Sequence, residues 1–223
     1  MLNLTFDGDS QDLASPHGAG GPYRWSVTPE GILVAGEPAV RRTKGAPSTM
    51  TRIVQTYSDI ITEASELSGI DRRVVGAMIA TESGGHPTAE RYEPAIRDYS
   101  FGMAQTLTET AHSVYSRMAY HSPDILAARD SLGAPPAAGD WAAWRTYLFD
   151  PRRSVLLGAL YLGIIEETLP PAGMGDPILL YAGYNAGSAR TSRLNPWGLV
   201  TFGDALSHFA EWYGDACAVG GGT

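Results

Sequence analysis

The sequence has few of the residues that redox, metal and nucleic-acid chemistry use. Cys217 is the only cysteine among 223 residues, which excludes an internal disulfide and every cysteine-based metal or redox motif. The 16 Lys and Arg residues are outnumbered by 24 Asp and Glu, and the net charge of −8 disfavours binding to nucleic acid or to anionic lipid. Because His86, His112 and His121 lack a ligand spacing such as HExxH, we expect no metal site and no cofactor.

Long apolar runs are also missing. The longest nearly apolar run, residues 155–165, is shorter than the roughly 20 residues that a membrane-spanning helix needs. The N-terminal residues MLNLTFDGDS have neither a basic n-region nor an apolar h-region, so they do not resemble a secretory signal. We therefore expect a chain that is made in the cytoplasm and does not insert into a membrane.

The composition that remains is typical of one folded domain with extensions. Hydrophobic residues make up 43% of the chain and charged residues 18%, which is enough apolar material for a core. Residues 1–50 are rich in Gly and Pro, which excludes long helices, and we interpret them as an irregular N-terminal arm. The arm contains two short apolar pieces, residues 23–27 and 32–35, that could form strands or pack on another surface.

Beyond the arm, apolar residues recur at the three- and four-residue steps of amphipathic helices. The pattern predicts a first helix that ends at Gly69 and a second helix that is capped by Asp71 and ends at Gly84. The Asp-Pro pairs at 150–151 and 176–177 are start signals for two later helices. The pattern as a whole predicts a mainly α domain.

One long segment interrupts the helical pattern. Residues 86–104 are predicted to form a loop, and Thr106 with Glu109 three residues later predicts the capping box of the next helix. The mainly α domain is expected to occupy residues 51–215, followed by a flexible tail at 216–223.

Glu82 is an acidic residue in an apolar helical pattern. It lies three residues after Ile79 and four after Met78, so on a helix its carboxylate projects from the apolar face. Burial and the carbonyl end of the helix both disfavour the ionised form, so we expect a raised pKa and a proton donor near neutral pH. The alternative is that Glu82 points to solvent from the last helical turn.

Two further clusters are candidates for a ligand site. Residues 100–105 (SFGMAQ) place a glycine between an aromatic residue and a methionine, which suits a backbone that approaches a ligand closely. Residues 181–187 (YAGYNAG) offer the hydroxyl of Tyr184 and the amide of Asn185 beside a turn of small residues. The alternative for this second cluster is an ordinary helix C-terminus.

Together, these clusters resemble the catalytic domain of soluble lytic transglycosylases and of the related goose-type lysozymes. The family's Glu-Ser motif is matched by residues 81–85, its Gly-Leu-Met-Gln motif by residues 101–105, and its Ala-Tyr-Asn-Ala-Gly motif by residues 183–187. An Asp-Pro helix with a Gly-x-x-Tyr-Leu segment corresponds to residues 150–162. The order and approximate spacing agree over residues 70–190.

The chain departs from the family pattern in the predicted loop 86–104. The family's Leu-Met pair stands here as Met103-Ala104, and the loop from Glu82 to Gln105 is several residues longer than is usual in the family. The loop also contains the acids nearest to the Glu-Ser motif, Glu90, Glu93 and Asp98, and we assign none of them a catalytic role.

The resemblance implies a lysozyme-like helical fold and a reaction on bacterial peptidoglycan. Glu82 would protonate the glycosidic oxygen between N-acetylmuramic acid and N-acetylglucosamine, and would then act as a base on the muramoyl C6 hydroxyl to close a 1,6-anhydro ring. The substrate's N-acetyl group would shield the cationic centre, as in other substrate-assisted enzymes. Tyr184 and Asn185 would orient Glu82 and the N-acetyl carbonyl. The residues that the resemblance implies for substrate binding are Ser83, Ser100, Gly102, Met103, Gln105, Tyr161, Tyr184 and Asn185.

Two alternatives to a lytic transglycosylase remain open. One is a lysozyme-type hydrolase of the same bond, and the other is a catalytically silent structural or docking protein on the same fold. A cytoplasmic start for a protein whose substrate lies outside the inner membrane suggests delivery by a phage particle, by a holin-type lysis route or by a secretion machine, and of these we favour a phage origin. In that interpretation the chain is virion-associated, acts in the periplasm or cell wall, and uses residues 1–50 to dock onto a tail or other virion protein.

Overall fold

The computed structural model describes residues 25–34, 36–169, 174–186 and 204–220, and in these ranges the chain is mainly α, as the sequence predicts. The helices are α1 (Ser48–Ser68), α2 (Arg72–Ser83), α3 (Thr108–Arg117), α4 (Pro123–Leu132), α5 (Trp141–Leu148), α6 (Pro151–Glu166), α7 (Pro177–Ala186) and α8 (Asp204–Gly220), with a short 3-10 helix at Met118–Tyr120. The strands are β1 (Trp25–Thr28), β2 (Gly31–Val34), β3 (Glu90–Glu93), β4 (Asp98–Phe101) and β5 (Thr106–Leu107). No helix in these ranges combines the length and the apolar character that crossing a bilayer requires.

Local capping signals set the ends of several helices. Asp71, Asp150 and Asp176 each accept hydrogen bonds from backbone amides of the first turn of α2, α6 and α7. Gly69 and Gly84 adopt the left-handed conformation directly after α1 and α2, where a side chain would be strained. These predicted starts and stops are confirmed.

Residues 86–104 are not the predicted loop but form most of a three-stranded antiparallel sheet in the order β3-β4-β5. In the β3-β4 hairpin, Arg91 pairs with Ser100 and Tyr92 pairs with Tyr99. Strands β3 and β4 have four residues each and mix charged with aromatic side chains, and β5 has only two residues, so the strand signal in the sequence is weak. Hydrogen bonding and burial against the helices decide the conformation here.

The predicted cap at Thr106 is also wrong. Thr106 lies in β5, and α3 begins at Thr108 after Leu107, whose side chain makes no capping bond. The carboxylate of Asp98, on the neighbouring strand β4, accepts hydrogen bonds from the Thr108 hydroxyl at 2.6 Å and from the Glu109 amide at 3.3 Å. A residue ten positions away therefore supplies the cap, which local spacing does not show.

Helix α6 is the centre of the core. It contacts α1, α2, α3, α5 and α7, and most of its residues are buried. Helix α8 closes the opposite side by packing on α1, α2, α7 and β2. Because α2 and α7 both pack in this core, their ends are held close together, and this is where the site is found.

The last part of the predicted N-terminal arm is packed on this core. Residues 25–34 form a hairpin, the N-terminal hairpin, whose strand β2 contacts α8. Ile32 is fully buried, and the indole nitrogen of Trp25 donates a hydrogen bond to the Oδ2 atom of Asp176 at 2.9 Å. Of the described residues in the two apolar pieces, Trp25, Ile32 and Val34 are therefore buried within this chain.

Part of the predicted C-terminal tail is helical, and other predicted segments lie partly outside the described residues. Helix α8 extends to Gly220, so it includes residues 216–220 of the predicted tail, and Cys217 is buried. Residues 1–24 of the arm, Gly187 of the Tyr-Asn motif and residues 221–223 lie outside the described ranges.

Candidate active site

A groove of about 440 Å³ opens between the end of α2, the β3-β4-β5 sheet and the facing sides of α6 and α7. Such a volume is within the range of ligand sites in proteins. The candidate site residues that line it are Glu82, Ser100, Gln105, Tyr161, Tyr184 and Asn185. The fold therefore brings six of the residues that the resemblance implies to one cleft.

Glu82 lies in the last turn of α2, half-buried at the wall of the groove. Its Oε1 atom accepts a hydrogen bond from the hydroxyl of Tyr181 at 2.8 Å. Burial raises the pKa of the Glu82 carboxyl above its ordinary value of 4.5, although the bond from Tyr181 and the positive charge of Arg91 oppose the rise. The negative charge of Glu93 adds to the rise. The direction of this shift is the one that the sequence predicts for Glu82.

The raised pKa of Glu82 predicts a stability effect with a defined pH dependence. The folded state holds the proton more tightly than the unfolded state, so the free energy of unfolding decreases as the pH rises from 4.5 through the raised pKa. In Glu82→Gln this loss is absent. We therefore expect the variant to unfold at a higher temperature than the wild type at neutral pH, and the two melting temperatures to converge below pH 4.5. A difference that stays constant with pH would contradict the prediction.

Tyr181 is the partner of Glu82 that the sequence did not indicate. Its ring is buried and stacks on Phe209 of α8 at a centroid distance of 4.4 Å. Burial, together with the nearby Glu82 carboxyl, raises the pKa of the Tyr181 hydroxyl, so it stays a donor throughout the working pH range. The resemblance gives Tyr184 the role of orienting Glu82, but in the structure Tyr181 makes the bond. The available signal was that Tyr181 precedes Tyr184 by three residues, on the same face of a helix.

Tyr184 instead fixes the floor of the groove. Its hydroxyl donates a hydrogen bond to the carbonyl of Ala104 at 2.7 Å and lies 3.2 Å from the Thr106 hydroxyl oxygen. The rings of Tyr161 and Tyr184 lie side by side, with centroids 5.4 Å apart. Asn185, the next residue, is exposed at the rim of the groove, and its side-chain amide lies within hydrogen-bond reach of the Tyr181 hydroxyl.

The side chain of Gln105, directly before β5, stabilises the chain segment that forms the sheet. Its φ of 47° is unusual for a residue other than glycine. Its side-chain amide donates hydrogen bonds to the carbonyls of Ala89 and Gly102 at 3.0 and 2.9 Å and accepts one from the Ser100 hydroxyl at 3.1 Å. These bonds tie the two ends of the segment 89–105 together and set the shape of the groove wall.

Ser83, Gly102 and Met103, which the sequence suggests as substrate-binding residues, do not line the groove. The hydroxyl of Ser83 donates a hydrogen bond to the carbonyl of Met103 at 2.8 Å, and the Met103 side chain is fully buried. A Cβ atom at Gly102 would lie 2.1 Å from the carbonyl oxygen of Leu148. These residues hold the backbone behind Glu82 rather than face the cleft.

A glycine of α6 allows Tyr184 to reach this position. A Cβ atom at Gly158 would lie 2.6 Å from the Cβ atom of Ala104 and 3.1 Å from the Tyr184 hydroxyl oxygen. We expect Gly158→Ala to lower the free energy of unfolding by about 1–3 kcal/mol, as overpacking of a core does.

Gly76 of α2 is the matched control for that substitution. It is also a buried helical glycine, but its nearest outside neighbour, the Sδ atom of Met50, would lie 3.5 Å from an added Cβ. Gly76→Ala should therefore leave stability unchanged or raise it by about 1 kcal/mol. Urea denaturation of both variants measures the difference, and equal effects would show that the space at Gly158 is not needed.

Several residues of the groove wall were not predicted from the sequence. Arg91 and Glu93 of β3 line the groove, as do Ala95, Ile96, Thr106, Leu107 and Thr110. Arg91 and Glu93 alternate with Glu90 and Tyr92 along the strand, so they share one face once the strand is recognised. The described residues contain no group of three or more His, Cys, Asp or Glu side chains arranged to hold a metal ion.

Comparisons with known proteins place this arrangement in a family. Residues 59–195 match the family described as Transglycosylase SLT domain. The chain is also 25% identical, over 191 residues, to Membrane-bound lytic murein transglycosylase C of Edwardsiella ictaluri (strain 93-146), in an alignment that covers 78% of this chain and 47% of that protein. The chain thus spans about half the length of that curated relative. Because the family match covers more than half of the chain and includes Glu82, Tyr181 and Asn185, the chain belongs to the transglycosylase SLT domain family.

Proposed function

We propose that the chain is a peptidoglycan lytic transglycosylase that cleaves the β-1,4 bond between N-acetylmuramic acid and N-acetylglucosamine. The observation that carries the proposal is the half-buried carboxyl of Glu82, which lies beside an open groove and accepts a hydrogen bond from Tyr181. The name of the relative from Edwardsiella ictaluri, a lytic murein transglycosylase, supports the same substrate and reaction.

In the first step Glu82 acts as the acid. Because burial raises its pKa, a larger fraction of the carboxyl is protonated near neutral pH, and this proton passes to the glycosidic oxygen. The bond from that oxygen to the muramoyl C1 breaks, and the leaving sugar departs with a neutral hydroxyl. The Tyr181 hydroxyl then stabilises the carboxylate that is formed.

In the second step the same carboxylate acts as the base. It takes the proton of the muramoyl C6 hydroxyl while the C6 oxygen bonds to C1, which closes a 1,6-anhydro ring and regenerates protonated Glu82. No water is consumed. The substrate's N-acetyl carbonyl shields the positive charge at C1 between the two steps, and the exposed amide of Asn185 would donate a hydrogen bond to it.

Hydrolysis of the same bond is the second candidate, and one observation favours it. Glu93 lines the same groove as Glu82, and inverting glycosidases use a second carboxylate to activate water. In this structure the Glu93 carboxylate is paired with the Nε atom of Arg91 at 2.5 Å, which leaves it less available to water. We therefore prefer the transglycosylase.

The products distinguish the two reactions. We expect mass spectrometry of digested peptidoglycan to show muropeptides with 1,6-anhydro ends, which are lighter by one water than the hydrolysed products. Reducing ends alone would identify a hydrolase. An absence of both products from a folded protein would favour the silent scaffold. The expected phage origin and the docking of residues 1–50 on a virion stay predictions.

A further inference from the structure

Two charges of the β3-β4 hairpin face the groove but take no part in the proposed reaction. Along β3, Arg91 and Glu93 lie on the groove face, whereas Tyr92 lies on the other face and packs on Tyr99 with ring centroids 4.8 Å apart. The pairing of Arg91 with Ser100, another groove residue, fixes this register. The hairpin therefore presents a charged pair to whatever occupies the cleft.

Arg91 is the only cation among the described residues that line the groove. Its positive charge lowers the pKa of Glu82, so it acts within electrostatic reach of the reacting centre. The ion pair with Glu93 uses the Nε atom, and a guanidinium has further N–H groups in a fork that matches a carboxylate. The side chain is 66% exposed, so an incoming anion can reach it.

The substrate of the proposed function carries such anions. Each N-acetylmuramic acid unit bears a stem peptide on its lactyl group, and these peptides contain free carboxylates unless they are amidated. We propose that Arg91 recognises a stem-peptide carboxylate beside the scissile bond, so that the groove prefers acidic stem peptides over amidated ones. The inference rests on the proposed function, and it assigns Glu93 the task of holding the guanidinium while the groove is empty.

Two glycan chains of equal length test this inference, one with free stem carboxylates and one with the same peptides amidated. We expect the wild type to show a kcat/KM about threefold higher on the acidic chain, the size of an exposed ion pair. In Arg91→Gln the preference should vanish or reverse, because Glu93 is left unpaired. In Glu93→Gln the preference for the acidic chain should increase. In the double variant Arg91→Gln/Glu93→Gln the preference should be lost without being reversed.

Arg97→Gln is the matched control. Arg97 is an exposed arginine in the turn of the same hairpin and does not line the groove, so its replacement should leave the ratio as in the wild type. Equal ratios in the wild type and in Arg91→Gln would overturn the inference while leaving the function intact. If the wild type cleaves neither chain, the proposed function fails. Titration of both chains against the wild type and against Arg91→Gln then decides whether Arg91 still selects the acidic one.

Discussion

Replacing Glu82 by Gln is expected to lower the rate of glycan cleavage by about 10²–10⁴-fold, the usual contribution of an acid–base residue. The amide has no acidic proton to give to the glycosidic oxygen and is too weak a base to take one from the C6 hydroxyl. Its oxygen can still accept the hydrogen bond that Tyr181 donates to the wild-type carboxyl at 2.8 Å. The fold should therefore be kept while turnover is lost, and release of soluble muropeptides measures the rate.

Glu66→Gln is the control for this loss. Glu66 is an exposed residue of α1 that does not line the active-site groove, so the same chemical change there should leave the rate at the wild-type level. A Glu82→Gln protein that melts cooperatively and still releases muropeptides within tenfold of the wild type would contradict the assignment.

Replacing Trp25 by Ala is expected to lower the free energy of unfolding by about 3–5 kcal/mol, as truncation of a buried tryptophan does. The change removes an indole that is only 7% exposed and leaves the Oδ2 atom of Asp176 without its donor. Asp176 caps α7, the helix that carries Tyr181, so the damage also reaches the site. Denaturant unfolding followed by circular dichroism measures the effect.

Leu33→Ala is the control on the same hairpin. Leu33 lies between the buried residues Ile32 and Val34 and faces away from the core, so its truncation should cost about 0.5 kcal/mol or less. Equal, small effects at Trp25 and Leu33 would show that the N-terminal hairpin unfolds independently. If the effects differ as expected, a chain that starts at residue 51 loses part of its core.

The parts of the fold that were predictable are those set by short-range physics. Asp71, Gly69 and the Asp150-Pro151 pair act on backbone groups within a few residues, so the spacing in the sequence contains the whole signal. The apolar face that carries Glu82 follows from helical periodicity in the same way.

The parts that were missed depend on contacts between distant residues. The cap of α3 comes from Asp98 across the sheet, and the bond to Glu82 comes from Tyr181, which lies 99 positions later in the chain. The resemblance to a family named six residues that line the groove, but it gave Tyr184 rather than Tyr181 as the residue that orients Glu82. Only the packing of α7 on α6 and α8 shows which tyrosine reaches the acid.

Strand β3 presents charged residues to the groove on one face and Tyr92 to Tyr99 on the other, and this alternation restricts how the cleft can change in evolution. A one-residue insertion within the strand would turn Tyr92 toward the substrate and bury the charge of Arg91 against the aromatic layer, because neighbouring side chains point to opposite faces. Insertions in the turn at residues 94–97 change the groove wall at Ala95 and Ile96 but leave Arg91 and Tyr92 on their present faces of the strand. Insertions and deletions in descendants of this sequence should therefore occur mainly in that turn. The charged residues of the strand should change by single substitutions.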